Sequence, residues 1–422
     1  MNLNSLLRFF ERLIPKSLYR LFQPAYHFLL AFSGAIFYNF PSRHLTVIAV
    51  TGTKGKSSTV EFINAIFEAA GYKTAITGTV RSKIGEYSEP NLTRMTIPGR
   101  FFLQRFLHRA KRAGCTIAIL ELTSEGARQH RHRFIDLDAL VFTNLAPEHI
   151  ESHGSLEAYA NAKFALAEGL LRSKKRPRYM VANADDAEGA RYLAVRVEHP
   201  LPFSLSQVVP WQTSDRGGNF TFDGTEIKIH LPGEFSLKNA LAAATLTRAL
   251  GVQPEIISAA LNNLKEIAGR AQEINAGQDF SVVVDYAHTP DSLQALYDAY
   301  GKRNKICVLG STGGGRDHWK RPLMGKIAAE HCAQIILTNE DPYNERPEDI
   351  IAELRSGMPR EPEIIVDRRE AIRRAISLAK PGDTVLITGK GTDPTIAGPR
   401  GTSIPWSDAK VAHEELQALL KR

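Results

Sequence analysis

The stretch VIAVTGTKGKSSTVEF, residues 47–62, constrains this chain more than any other. An apolar run from Val47 to Val50 passes through Thr51-Gly52-Thr53-Lys54-Gly55-Lys56-Ser57 into a helix-like pattern. Strand, glycine loop and helix in that order grip a phosphate chain, because glycines let backbone N–H groups turn toward the anion and a helix N-terminus favours negative charge. Lys56 then neutralises β/γ-phosphate charge and Ser57 offers a hydroxyl to Mg²⁺, with Gly52, Thr53, Lys54, Gly55 and Ser58 completing the loop. The generic pattern places its first glycine where this chain has Val50, yet GK[ST] between a strand and a helix still predicts nucleotide binding.

A chain of 422 residues accommodates two or three domains, each with its own core. A net charge of +8 admits nucleic acid, a membrane surface or an anionic substrate as partner without choosing among them. Cys115, Cys307 and Cys332 are odd in number and free of CxxC spacing, so neither a disulfide framework nor a zinc knuckle is expected, and a reducing cytoplasm fits best.

Residues 1–45 differ from the rest. Arg8, Arg12, Lys16 and Arg20 recur among leucines and phenylalanines as in a basic amphipathic helix, and after Pro24 comes AYHFLLAFSGAIFYNF. That run is short and impure beside the roughly 20 apolar residues of a transmembrane span. The segment therefore reads first as a helical hairpin lying on a membrane surface or partner, second as helices packed on the body, and last as a true span.

From residue 46 strands and helices alternate, with strands expected at 46–50, 116–121, 139–143 and 178–182 and helices at 57–70, 99–113 and 155–172. This is the pattern of a parallel sheet with helices on its faces. A hairpin turning at Asp223-Gly224 and two helices from about 237 and 254 follow. A second α/β series then begins at FSVVVDYAH, with the boundary near Gly269. The expected architecture is α/β: a helical extension (1–45), a central phosphate-loop parallel-sheet domain (46–268) and a C-terminal Rossmann-like domain (269–422).

Polar residues gather where the expected strands end, which is where open α/β sheets bind ligands. Glu121 ends IAILE, and TNLAPEHIESHGSLEAYANAK brings Asn144, Glu148, His149, His153 and Lys163. His149 and His153 have neither a third soft ligand nor HExxH order, so zinc is not expected. The second series carries Asp285, Tyr286 and His288, a glycine loop without GK[ST] or GxGxxG at 309–325, and Asp341. Taken singly, each of these residues reads as a cap or turn.

Taken together, VTGTKGKSST, ELTSEG, TNLAPEHIESHG, YANAK, PGEFSLKNALAA, AGRAQEI, VDYAHTPDSL, GGRDHWKRPLMG and TNEDPYNERPEDI come in the order seen in the Mur ligases, and the chain most resembles their MurE branch. The resemblance covers 46 to about 415. It implies an enzyme of peptidoglycan precursor synthesis and cell-wall biogenesis that uses ATP and Mg²⁺ to phosphorylate a carboxylate, which an amine then attacks. It further implies Lys56 and Ser57 at the phosphates and first Mg²⁺, Glu121 and His149 at a Mg²⁺ near the acyl phosphate, and Lys163 as a carbamylated lysine. Asn239, Arg270, Asp285 and His288 would meet ATP, while Thr96, Ser124, Arg316, Asp341, Tyr343, Asn344, Gly389 and Asp393 fall in stretches that meet the acceptor or the amino acid.

The departures are specific. The family's UDP-holding N-terminal domain cannot be formed by 45 residues, TTP appears as Thr96-Ile97-Pro98, and SSH as Ser124-Glu125-Gly126. The DNPR that accompanies diaminopimelate is Glu340-Asp341-Pro342-Tyr343, and GKGHE is Gly389-Lys390-Gly391-Thr392-Asp393. The expected partners are ATP, an amino acid and a muramyl-peptide-like carboxylate, with membrane contact through residues 1–45 and no nucleic acid. Cytoplasmic localisation, at the inner face of the membrane, follows from that reading. A folylpolyglutamate-synthetase-like or poly-γ-glutamate-type ligase is the rival within the same chemistry, and a non-catalytic, membrane-associated nucleotide-binding scaffold is the rival from another class.

Overall fold

The computed structural model describes residues 16–421 except positions 94, 100 and 149. Its first sheet has strands β1 (Thr46–Thr51), β2 (Thr74–Thr77), β3 (Arg81–Ile84), β4 (Tyr87–Pro90), β5 (Ile117–Glu121), β6 (Ala139–Phe142), β7 (Tyr179–Asn183) and β8 (His199–Phe203). Their order is β4-β3-β2-β5-β1-β6-β7-β8, parallel except at β3 and β4. Side chains of β1 alternate between the faces, Ile48 and Val50 joining one apolar cluster and Val47 and Ala49 the other. Both faces are thus covered, as a parallel sheet requires. The chain leaves β1 to build both flanks of the sheet, so β1 lies between β5 and β6 and their C-terminal ends form a crevice.

Strands β9 (Gln212–Ser214), β10 (Gly217–Phe222) and β11 (Thr225–Ile229) make a small antiparallel sheet. Asp223 and Gly224, both at positive φ, turn β10 into β11. Helices Glu234–Ala249 and Pro254–Asn263 pack on the first helix of the central unit, Lys56–Ala69. The second large sheet contains β12 (Gln272–Glu273), β13 (Ser281–Asp285), β14 (Lys305–Leu309), β15 (Gln334–Leu337), β16 (Glu363–Ile364) and β17 (Thr384–Thr388). Its order is β12-β13-β17-β14-β15-β16, parallel except for β12.

Two expectations are corrected. Cys307 in β14 and Cys332, just past helix Lys320–His331, are joined in a buried disulfide with Cα atoms 6.1 Å apart. The helix that crosses over the sheet delivers its C-terminal end above the strand it left, a proximity that a separation of 25 residues conceals. The N-terminal segment also does not turn at Pro24: one helix runs from Lys16 to Phe37, while Arg8 and Arg12 lie outside the described residues. This helix packs on Phe102–Arg112, with Gly34 so close to Phe101 that a Cβ would stand 2.6 Å from its ring. No helix among the described residues is long and apolar enough to cross a membrane.

Candidate active site

The phosphate loop joins β1 to helix Lys56–Ala69, with Gly55 at its N-cap. Gly55 has φ 82°, and a Cβ there would stand 2.1 Å from Asn239 Oδ1; at Gly52, φ 145°, a Cβ would stand 1.9 Å from Thr143 Oγ1. Neither position admits a side chain. Residues after β6 fix the loop from below: Thr53 N donates to Asn144 O at 2.8 Å, Lys54 N to Asn144 Oδ1 at 2.9 Å and Thr143 Oγ1 to Lys54 O at 2.6 Å.

Glu121, at the end of β5, is 2% exposed. Ser57 Oγ donates to its Oε2 at 3.1 Å, and Thr79 donates to the same oxygen from its backbone at 2.8 Å and to Oε1 from its hydroxyl at 2.9 Å. Thr79 Oγ1 also lies 3.0 Å from Thr96 Oγ1, which ties the family's TTP position to this carboxylate. Among the described residues no Lys, Arg or His nitrogen lies within 4 Å of Glu121 as an ion-pair partner. A buried carboxylate without a cationic partner, aimed into a phosphate cavity, fits a divalent cation.

Lys163, on helix Leu156–Arg172, is 2% exposed and donates to Gly52 O at 2.6 Å. Its Nζ stands 4.6 Å above the Tyr159 ring, whose hydroxyl lies 3.2 Å from Thr53 Oγ1. Desolvation, and then the Lys56 charge, push the Lys163 ammonium well below its ordinary pKa. Lys56 is lowered as well, by desolvation that Glu121 and Glu148 partly offset, and its Nζ is turned back onto Thr53 O at 2.9 Å.

The second sheet closes over this loop. Arg270 Nη2 donates to Ser57 Oγ at 3.1 Å, and its guanidinium lies 4.5 Å from the Tyr286 ring centroid. His288 Nε2 meets Glu148 Oε1 at 2.9 Å, and Glu148 pairs with Lys54 at 3.1 Å. Burial, with Lys54 nearby, lowers the His288 pKa to about 3. Asp285 accepts from Ala271 N and Ala287 N, both at 2.6 Å, and desolvation raises its pKa against the pull of Arg270.

Thr53 to Ser58, Thr96, Glu121, Asn239, Arg270, Asp285, His288 and Arg316 all line one cavity of ≈400 Å³ between the two units. Lys163 lies beneath the loop, and Thr123 rather than the buried Ser124 faces the cavity. His149, expected beside Glu121, lies outside the described residues.

The remaining expected residues form a separate group at the ends of β15 and β17. Asp341 accepts from Lys390 Nζ at 2.7 Å and Ala397 N at 2.6 Å, and Asp393 lies 3.5 Å from the same ammonium. Tyr343, at φ 52°, packs over Gly314, and Asn344 Oδ1 accepts from Arg400 N at 2.8 Å. At Gly389, φ 106°, a Cβ would stand 2.2 Å from Glu340 Oε2.

Sequence reasoning misses Thr79 and Tyr159. Thr79 follows β2 in ITGTV, so the strand-end rule that found Glu121 reaches it too; Tyr159 opens the YANAK motif, but its hydroxyl finds Thr53 only through the fold.

A phosphate loop, a buried metal-fitting carboxylate and a buried lysine whose ammonium is held well below its ordinary pKa, closed over by a second α/β unit, define an ATP-dependent ligase that activates a carboxylate. Comparison with known proteins makes the class specific. Residues 50–247 match the Mur ligase middle domain and 269–391 the Mur ligase glutamate ligase domain. The chain is 35% identical over 410 residues to the UDP-N-acetylmuramoyl-L-alanyl-D-glutamate--2,6-diaminopimelate ligase of Syntrophomonas wolfei, covering 93% of this chain and 82% of that one. It is 36% identical over 420 residues to the UDP-N-acetylmuramyl-tripeptide synthetase of a Roseiflexus species, covering 92% and 82%. A solved diaminopimelate ligase of the first type superposes with TM-score 0.61 at 30% identity, over 89% of this chain and 79% of that one. The Mycobacterium tuberculosis folylpolyglutamate synthase, TM-score 0.69 at 17% identity over 93% and 95%, shares the fold.

The chain belongs to the Mur ligase family. It is an ATP-dependent, amide-bond-forming ligase of peptidoglycan precursor synthesis, most like the MurE branch.

Proposed function

We propose that the chain joins an amino acid to the free carboxylate of a muramyl-peptide-type acceptor at the cavity between its two α/β units, in the cytoplasm. The observation that carries this reading is the convergence of Ser57, Glu121, Thr79 and Arg270, from both units, on one hydroxyl-carboxylate pair beside the phosphate loop. Domain bounds of 1–45, 46–268 and 269–422 accompany it.

In this reading the loop N–H groups and Lys56 hold the ATP phosphates. Mg²⁺, when bound, neutralises phosphate charge, with Ser57 and Glu121 as its holders and His149 and carbamylated Lys163 joining by resemblance. Arg270 faces the charge that builds on the transferred phosphoryl group, where a preorganised cation is most effective. Its stacking on Tyr286 fixes the guanidinium before substrate arrives. His288 stays neutral at physiological pH and holds Glu148, and through it Lys54, across the interface. Asn239, at the loop, and Asp285, at the end of β13, complete the ATP pocket; Thr96 and, in place of the buried Ser124, Thr123 face the acceptor, and Arg316 the approach of the amino acid.

The donor we infer is an amino acid with one carboxylate. Tyr343 supplies no guanidinium for a second one, Lys390 is committed to Asp341 and Asp393, and Arg346 pairs with Glu348 at 3.8 Å on the surface.

We also place residues 1–45 against an anionic membrane surface, in peripheral contact. Phe28, Leu29, Phe32, Ile36 and Phe37 are exposed on helix Lys16–Phe37, and Arg105 and Arg109 are exposed on helix Phe102–Arg112, on which it packs. Apolar side chains beside cations match an anionic bilayer.

The test is a panel of amino acids offered with ATP and with UDP-linked or lipid-linked muramyl dipeptides, following ADP release and product mass. A muramyl tripeptide is expected. Turnover with a folyl or polyglutamate acceptor, and none with muramyl peptides, would replace this reading with the rival.

A further inference from the structure

Beyond Thr123 the short helix Ser124–Arg128 gives way to Gln129-His130-Arg131-His132-Arg133, and a second cavity of ≈410 Å³ opens there. Its polar lining is Arg128, His130, His132, Arg133, His153 and Asn161. His132 is 5% exposed, and neither of its ring nitrogens has a hydrogen-bond partner; His130 Nδ1 and Arg133 Nε are likewise unpartnered. Leaving a buried polar group without a hydrogen bond is costly, so native proteins rarely keep one without a use. Here several such donors face one cavity.

The charge around the cavity selects its occupant. Arg133, His130 and Arg172 all act on His132 with positive charge, while the nearby carboxylates Glu125 and Glu168 are taken up by Arg128 and Arg172. No cluster of three or more His, Cys, Asp or Glu residues among the described residues is arranged to hold a metal ion. Guanidinium forks and imidazole N–H groups in a cavity whose own lining holds no carboxylate suit a phosphate. Position agrees. Thr123, at the N-cap of helix Ser124–Arg128, lines the reaction cavity, and Arg128, at the other end of that helix, lines this one. Phe28 touches His130 with ring centroids 6.4 Å apart, so the exposed apolar row of the N-terminal helix begins at the rim.

We propose that this cavity is the subsite for the phosphate or diphosphate group of the acceptor. The proposal rests on the ligase reading above. Nucleoside-linked and lipid-linked diphosphates share the chemistry, and the test separates them.

Two variants serve, Arg133→Gln at the partly exposed side and the double variant H130Q/H132Q, each checked for an unchanged melting temperature. Calorimetric titration of the full chain with inorganic pyrophosphate, without turnover, should show binding that either variant weakens roughly ten-fold or more, as loss of a charge-assisted contact does. In turnover, KM for a diphosphate-linked muramyl dipeptide should rise by a similar factor, with kcat and KM for ATP unchanged. KM for a phosphate-free muramyl dipeptide should not move. A rise confined to the lipid-linked or to the UDP-linked acceptor assigns the source, and equal rises assign the diphosphate alone. No pyrophosphate binding, or equal KM shifts with and without phosphate on the acceptor, would overturn the subsite. ADP release with the phosphate-free acceptor would then leave the ligase intact, whereas pyrophosphate binding without turnover on any acceptor would leave the subsite and remove the ligase.

Discussion

Arg270 donates a 3.1 Å hydrogen bond to Ser57 Oγ across 213 residues of sequence, from the segment that leads into the second sheet to the first turn of the phosphate-loop helix. The same hydroxyl donates to Glu121 at 3.1 Å. One serine thus joins the carboxylate at the end of β5 to a guanidinium of the opposite unit. The proposed phosphate site is therefore built from residues of both units.

Lys56 is the lysine of the GK[ST] loop and lines the cavity. Lys56→Ala should reduce amino-acid-dependent ADP release by at least about 10²-fold, a typical cost of a lost electrostatic stabiliser, with little change in melting temperature. Turnover near wild type would sink the assignment of this loop to ATP.

Lys163 meets the requirement for carbamylation: burial and Lys56 favour its neutral amine, the form that adds CO₂. Lys163→Ala should be nearly inactive, and short carboxylic acids in the buffer should restore part of the activity by standing in for the carbamate. Intact-mass measurement in bicarbonate gives a second readout. Full activity without additive would remove the modification.

Donor choice follows from Tyr343. Loss of a bidentate contact to a carboxylate costs about 1.5–3 kcal/mol, or roughly ten-fold to more than a hundred-fold in selectivity. Diaminopimelate should therefore lose to an amino acid with one carboxylate in a competition assay. A clear preference for diaminopimelate would show that another cation grips its second carboxylate.

Stability should fall in acid below about pH 6.5. His132 and His288 both have folded pKa values lowered to about 3 from 6.5, with desolvation the first cause. Between those values the unfolded chain binds protons that the folded one excludes, so each histidine withdraws up to about 1.4 kcal/mol per pH unit as pH drops. Urea titrations at pH 7 and pH 5 measure the loss, and H132Q should reduce it. An unchanged slope in H132Q would mean that His132 is protonated in the fold.

Membrane contact is tested by co-sedimenting the full chain, and a chain lacking residues 1–41, with anionic and neutral vesicles. The full chain should partition to anionic vesicles and lose that partitioning as salt rises. Equal partitioning of both chains, or none by either, would end the membrane placement and leave the ligase untouched.

The sequence alone determined the phosphate loop, the alternation of strands and helices, and the polar strand ends at Glu121, Asn144 and Asp285, because glycine conformation, apolar periodicity and strand termination are local properties. The bounds of β1, β5 and β6 and of helix Leu156–Arg172 lie within a residue or two of expectation for the same reason. Tertiary structure decided which of these residues share a cavity. Arg270 meets Ser57, His288 meets Glu148, Tyr159 meets Thr53, and Cys332 meets Cys307 only because strand order and interface closure bring distant segments together. It also decided which expected residues stand apart. Asp341 and Asp393 are engaged by buried Lys390 at the far ends of β15 and β17, a pairing set by the packing of parallel strands and written in no local pattern.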